Sequence, residues 1–201
     1  MIDHSQNGEQ FHIAKYFEAH PAKYRRFLDI GAHDGTTLSN THELMLSGCW
    51  SGDYVEADPQ LASLIRRDDI RIRSLCSIYA AAFAKRGSPH TIKFNRSTGG
   101  GGFYGTTEQS QIEKFKSITT FTEIEIPTIT VDNLVGPYDF ISLDVEGTNW
   151  ELLPELAPRL DECQLICVEH DGHSAKMRRF LEPFGLTHVI SYNAENLMVG
   201  R

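Results

Sequence analysis

Phe27-Leu-Asp-Ile-Gly-Ala-His-Asp-Gly35 is the stretch on which the reading of this chain turns. Its apolar start, residues 27–30 around the single polar Asp29, reads as a buried strand. The strand runs into two glycines spaced Gly-x-x-x-Gly, and residues 36–46 behind them read as the start of a helix. Strand, glycine turn and helix in that order form a nucleotide pocket: glycine lets the backbone turn sharply and come close to a ligand, and a helix N-terminus offers unpaired N–H groups. The spacing differs from the Gly-x-Gly-x-x-Gly of dinucleotide binders.

Outward from this stretch the chain alternates strands and helices. Gly48 caps the helix, residues 50–57 form a second strand with Glu56 at its tip, and Asp58-Pro59 opens a further helix carrying Leu61, Leu64 and Ile65. Residues 70–75 fit a helix extension or a strand equally well. A third strand is expected over 78–84, a hairpin partner over 91–95, a loop over 97–107 with glycine at each of positions 99–102, and an edge strand over 123–131 around Pro127. Residues 139–145 read as a buried strand ending in Asp144-Val-Glu-Gly147, followed by a helix over 149–156. A strand over 165–168 leads into Glu169-His170-Asp171-Gly172; a helix over 173–181 and strands over 186–190 and 196–199 close the chain. Ahead of the core, residues 10–19 place Phe11, Ile13, Ala14 and Phe17 at helical spacing before Pro21, as a helix that packs on the core or covers the pocket. The expected fold is α/β: a doubly wound, mostly parallel sheet with one antiparallel strand, in a single domain over 1–201 with a short helical extension over 1–26.

The bulk numbers narrow the function classes. The chain has 201 residues, 40% of them hydrophobic, and a formal net charge of -8, which argues against a surface built to hold bare nucleic acid. No apolar run approaches the roughly 18 residues of a membrane span, and the polar N-terminus has no signal-peptide pattern, so a soluble cytoplasmic protein with no nucleic-acid or membrane partner is expected. The four cysteines lack metal-site or Cys-x-x-Cys spacing; Cys163 and Cys167 read as reduced core thiols.

The polar residues at the carboxyl ends of the expected strands are Asp29 with the turn 31–35, Glu56 with Asp58, Asp144 with Glu146, and Glu169 with His170. Ligands of such sheets bind along that rim, and an acid about 20 residues past the glycine turn is placed to accept from a ribose diol. Glu56 has that place. A rim so rich in carboxylates repels a pyrophosphate and suits a ligand carrying a sulfonium and an ammonium.

With Tyr54-Val-Glu-Ala-Asp-Pro59, the opening stretch resembles the first two motifs of class I S-adenosylmethionine-dependent methyltransferases. Asp139-Phe-Ile-Ser-Leu-Asp-Val-Glu-Gly147 is similar to the Asp-x-Glu-Gly signature of the FkbM O-methyltransferases, supported by Ile126-Pro-Thr-Ile-Thr-Val-Asp132, Leu165-Ile-Cys-Val-Glu-His170 and Tyr192-Asn-Ala-Glu-Asn196. The resemblance implies a Rossmann-like seven-stranded sheet and an O-methyltransferase using S-adenosylmethionine. The acceptor it implies is a hydroxyl on a sugar, glycoconjugate or other small metabolite. On this resemblance Gly31, Ala32 and Gly35 pass beneath the methionine part of the cofactor, His33 lines the pocket, and Asp29 orders the turn and faces the ammonium. Glu56, with Ala57 beside it, takes the ribose hydroxyls; Ala82 and Phe83 hold the adenine; Asp144 stands beside the transferred methyl.

Methyl transfer from a sulfonium is an in-line displacement, so the protein positions donor and acceptor and removes a proton. Two versions are open: His170, Asp144 or Glu146 as general base, or Asp144, Glu169 and His170 holding Mg or Mn that acidifies the acceptor hydroxyl. Each residue also has a plainer reading. Asp144 and Glu146 are placed to cap the helix near Thr148, His170 to be a solvated loop residue, and Phe11, Tyr16, Phe17 and Trp150 to be packing. Two rivals remain: a cofactor-binding module without catalysis, and an NAD(P)-dependent oxidoreductase, which lacks its third glycine here.

Overall fold

A computed structural model describes residues 3–65, 74–98 and 105–201. Seven of its strands are β1 (Arg26–Ile30), β2 (Ser51–Glu56), β3 (Cys76–Ala80), β8 (Phe140–Leu143), β9 (Leu165–Glu169), β10 (His188–Tyr192) and β11 (Asn196–Gly200). Among the described residues these form one sheet in the order β10-β11-β9-β8-β1-β2-β3. Only β11 runs antiparallel to its neighbours. The glycine-turn strand β1 lies between β8 and β2, with Ile30 opposite both Leu143 and Val55.

This strand is central because it can be buried on both faces. Leu28, Ile30, Ile141 and Leu143 join one core, while Phe27, Tyr54 and Phe140 join a second on the opposite face. Helix α1 (Glu9–Ala19) supplies Ile13 and Tyr16 to that second core, and Phe17 packs edge-on to Trp50. Phe11, expected inside, is instead half exposed, because the buried stripe of α1 runs through Glu9, Gln10, Ile13 and Tyr16. At the amino ends of the strands, fully buried Asp139 accepts hydrogen bonds from the backbone N–H groups of Lys23, Tyr24 and Arg26. One carboxylate thereby ties the entry of β1 to the start of β8. Cys163 and Cys167 are buried free thiols, and Trp150 packs against Phe180, as expected.

Three expectations about local structure change. The helix behind the glycine turn begins only at His42 (α2, His42–Leu46). Asp34 accepts from the N–H groups of Thr36 and Thr37 at 2.8 and 2.6 Å, and Ser39 Oγ from those of Thr41 and His42, so side chains hold this backbone in turns. The strand expected over 78–84 breaks at Ala81: β3 ends at Ala80, and β4 (Ala82–Phe83) leaves for a second sheet. Its other strands are β5 (Thr91–Ser97), β6 (Gly105–Thr106) and β7 (Phe121–Ile129), in the order β4-β7-β5-β6. The segment 91–95 therefore pairs with β7 rather than returning on β3, and β7 is interior rather than an edge. Pro127 is tolerated because β7 first meets β4 one residue later, at Thr128. The expectation over 70–75 falls mostly outside the described residues, and the glycines at 99–102 lie wholly outside them. Among the described residues no helix is long and apolar enough to cross a membrane.

Candidate functional site

The glycine turn is shaped by close approach. Gly31 has φ +85°, and a Cβ there would lie 1.6 Å from the carbonyl oxygen of Asp144. The ends of β1 and β8 thus meet at a point where only glycine fits. The N–H groups of Gly31 and Ala32 both reach the carbonyl of Val55, at 2.9 and 3.2 Å, and so draw the turn toward β2. Glu56, at the tip of β2 and 7% exposed, completes the brace: one carboxylate oxygen accepts from the N–H of His33 (2.8 Å), the other from that of Asp58 (2.7 Å). Burial pushes the Glu56 carboxyl up to about 7 against the opposing pull of these two hydrogen bonds. Each oxygen still has a lone pair for a further donor.

A cavity opens over the carboxyl ends of β1, β2 and β8. Gly31, His33 and Leu38 line it from the glycine turn, Glu56, Ala57 and Leu61 from the second strand and the helix after it, and Asp144, Glu146, Thr148 and Leu152 from the β8 side. The small sheet supplies the remaining wall through Ala82, Phe83, Ile92, Phe94, Gly105 and Thr106, and Gln6 reaches in from the N-terminal segment. Among the described residues that line it, none is lysine or arginine.

Of the residues expected to bind the cofactor, Gly31, His33, Glu56, Ala57, Ala82 and Asp144 stand in this wall, with Phe83 beside them. Asp29, Ala32 and Gly35 do not line it. Asp29 is 4% exposed and accepts from Thr41 Oγ1 at 2.6 Å, so it pins the segment behind the turn rather than facing a ligand. Burial raises its pKa to about 6 in spite of hydrogen bonds from Thr41 and Ser142. Ala32 is packed into the core below, and Gly35 (φ +76°) folds back onto Ile65.

On the β8 side carboxyl groups crowd together. Asp144 and Glu169 share a hydrogen bond, which requires that one of them hold a proton; burial raises the pKa of both, and each is raised further by a neighbouring acid. Asn149, fully buried, organises them: its Nδ2 donates to Glu169 (2.7 Å) and Asp171 (2.9 Å) while its Oδ1 accepts from the N–H of Val145. It does so instead of a cap by Asp144 or Glu146, since the helix over Asn149–Leu152 has no side-chain cap bond. Glu146 lies between these groups and the cavity in a left-handed conformation, φ +58°, which costs a non-glycine residue about 1–3 kcal/mol. Burial, then the charges of Glu169 and Asp171, raise its carboxyl to about 8.

His170 is held at both ring nitrogens by backbone groups. Its Nδ1 accepts from the N–H of Gly172 (3.0 Å), which places the proton on Nε2, 3.2 Å from the carbonyl of Asn193, and its ring stacks on Tyr192. Both ring nitrogens are spent on backbone. The expected Mg or Mn site of Asp144, Glu169 and His170 is corrected accordingly: among the described residues no three His, Cys, Asp or Glu side chains are placed to hold a metal ion. Sequence reasoning also missed Gln6, Asn149 and the Ile92–Phe94 wall. Asn149 carried a usable signal, since it follows the Asp144-Val-Glu-Gly147 turn directly; the others depend on contacts distant in the chain.

Set against known proteins, residues 29–186 match a family profile described as the methyltransferase FkbM domain. No curated protein matches the chain. Among solved structures it is similar to methyltransferase FkbM from Methylobacillus flagellatus KT, at 12% identity and TM-score 0.55, over 92% of this chain and 46% of that one. It is also similar to a putative RNA methyltransferase, PH1948 from Pyrococcus horikoshii, at 9% identity and TM-score 0.52, over 97% and 82% of the two chains. The N-terminal domain of human METTL16, solved in complex with SAH, matches at 11% identity and TM-score 0.50, over 99% and 71%. At these identities the likeness is one of fold, and it bears out the expected class I methyltransferase sheet. The chain spans less than half the length of the Methylobacillus structure.

Proposed function

Because this chain belongs to the FkbM methyltransferase family, we propose that it methylates a hydroxyl of a sugar, glycoconjugate or other small metabolite, with S-adenosylmethionine as donor. The observation that carries the reading is the composition of one cavity: Glu56 at the tip of β2, Asp144 and Glu146 at the end of β8, an apolar wall between, and no lysine or arginine among the described residues lining it. That set fits the cofactor. Ala82, Phe83, Ile92 and Phe94 offer apolar surface to an adenine, Glu56 accepts from two ribose hydroxyls, and the close Gly31 turn leaves room for the methionine chain. The carboxylates favour a sulfonium and disfavour a pyrophosphate. Bound there, S-adenosylmethionine supplies a methyl group already activated by positively charged sulfur.

The chain's own part is to position and to move one proton. Asp144, held against Gly31 through its carbonyl, sets the distance between the glycine turn and the β8 end. Glu146 takes the proton from the acceptor oxygen, and Asn149 with Glu169 and Asp171 fixes the carboxyl network behind it.

Calorimetric titration with S-adenosylhomocysteine beside NAD tests the reading. Binding of the first alone supports it; binding of NAD alone overturns it. Replacing Glu56 with alanine is expected to weaken S-adenosylhomocysteine binding by about 1–3 kcal/mol, the worth of hydrogen bonds to a charged acceptor. Unchanged affinity in a folded variant would remove Glu56 from the ribose site.

A further inference from the structure

The segment ahead of α1 is tied across the cavity by buried polar side chains. Glu9, 2% exposed, accepts from Asn193 Nδ2 (3.1 Å) and Asn196 Nδ2 (3.0 Å) with one carboxylate oxygen and from the N–H of Asn7 (2.8 Å) with the other. Asn7 itself donates to Glu195 at 2.9 Å. On the other side Gln10, also 2% exposed, donates to the carbonyl of Ser39 (2.7 Å) and accepts from the N–H of His4 (3.1 Å). His4 packs on His42 with ring centroids 4.3 Å apart. Residues 3–8 thus run from the segment behind the glycine turn to the β10–β11 hairpin, anchored at both ends. Burying a carboxylate and an amide costs free energy that only complete hydrogen bonding offsets, so the path of this segment is specified rather than incidental.

Along that path, between the anchors at Ser39 and His42 behind the glycine turn and at the β10–β11 hairpin, Gln6 is one of the residues lining the cavity. Its amide has no hydrogen-bond partner among the described residues. The apolar wall and Glu56 suit the nucleoside end of the cofactor, which leaves the mouth by Gly31 and Gln6 for the amino-acid end. Asp144 and Glu146 also line the cavity, no lysine or arginine is among its described wall residues to balance an α-carboxylate, and an amide N–H is the side-chain donor that the strap delivers. We propose that residues 3–8 are a strap closing the amino-acid end of the cofactor pocket, and that the side-chain amide of Gln6 donates to the cofactor's α-carboxylate. The inference rests on the S-adenosylmethionine reading above.

A double-mutant cycle in binding tests it, with S-adenosylhomocysteine and its decarboxylated analogue as probes against the wild-type chain, Gln6→Ala and Gln6→Glu. Gln6→Ala is expected to weaken S-adenosylhomocysteine about tenfold, and Gln6→Glu further by carboxylate repulsion, while the analogue changes by less than about twofold with Gln6→Ala. Unchanged S-adenosylhomocysteine affinity, or equal loss for both probes, overturns the role of Gln6 while leaving the cofactor reading intact. A wild-type chain that binds neither probe overturns both. Gln6 lies on the surface, so its variants are not expected to compromise folding.

Discussion

Replacing Gly31 with alanine is expected to destabilise the protein by about 2–5 kcal/mol and to abolish cofactor binding. Two costs add. A left-handed conformation costs an L-residue about 1–2 kcal/mol, and Gly31 sits at φ +85°. The added Cβ would also lie 1.6 Å from the Asp144 carbonyl oxygen, so the ends of β1 and β8 must part, a strain of the kind that overpacked cores put at about 1–3 kcal/mol. Parting them also breaks the hydrogen bonds from Gly31 and Ala32 to Val55 and moves Glu56 with them. Gly87→Ala separates the two contributions, because Gly87 has φ +83° with nothing near its missing Cβ. Urea midpoints of both variants read the difference. Equal losses would show that the contact with Asp144 carries no energy.

Glu146→Gln is expected to lower turnover by about 10²–10⁴-fold while leaving S-adenosylhomocysteine affinity within about threefold, the signature of a lost general base. The side chain keeps its shape and loses only the capacity to take a proton. The pH profile gives the second readout. Burial and the charges of Glu169 and Asp171 hold the Glu146 carboxyl at about 8, so at neutral pH the larger share of it is protonated. A base acts only when deprotonated, so the rate should climb as pH rises through about 8 and level off above, and the glutamine variant should lack that limb. The assay follows methyl transfer from isotopically labelled donor to a hydroxyl acceptor. Wild-type turnover in the glutamine variant, with the limb still present, would move the base elsewhere.

What could be read from the sequence was what is local in it. The apolar run at Phe27, the acid at the tip of β2 and the Asp144-Val-Glu-Gly147 turn each announce themselves within a short stretch of chain, and the pocket does form where they meet. Parallel strands buried on both faces read as apolar runs, which is why the main sheet was legible. The closing hairpin pointed to an antiparallel strand at the sheet's end, and β11 instead lies between β10 and β9. The apparent helix over 36–41 is undone by two short side chains, Asp34 and Ser39, that bond the backbone before a helix can. Nothing near His170 in the sequence reveals that the distant Asn193 carbonyl accepts a hydrogen bond from its ring. The second sheet escaped notice because β5 and β7 are far apart in the chain and β4 contributes only two residues. Gln6 lies outside any periodic segment, and only the buried grip of Glu9 and Gln10 brings it to the mouth.

The small sheet has a further meaning for how such a protein diversifies. Its own core is slight: among the described residues Ala82, Phe94 and Ile126 are buried, with Ala57, Ile92 and Ile124 packed against them, while the two large cores lie about the main sheet. Part of the cavity wall, Ala82, Ile92 and Phe94, therefore rests on this slight core, while Phe83 of β4 joins the larger core and Ile129 of β7 packs against it. Exchanging Ile92 or Phe94 draws on the reserves of a few side chains and leaves the β1–β8 frame untouched. The shape of the cavity can drift at Ile92 and Phe94 while the frame that holds Glu56, Asp144 and Glu146 in register stays under strict steric control at Gly31.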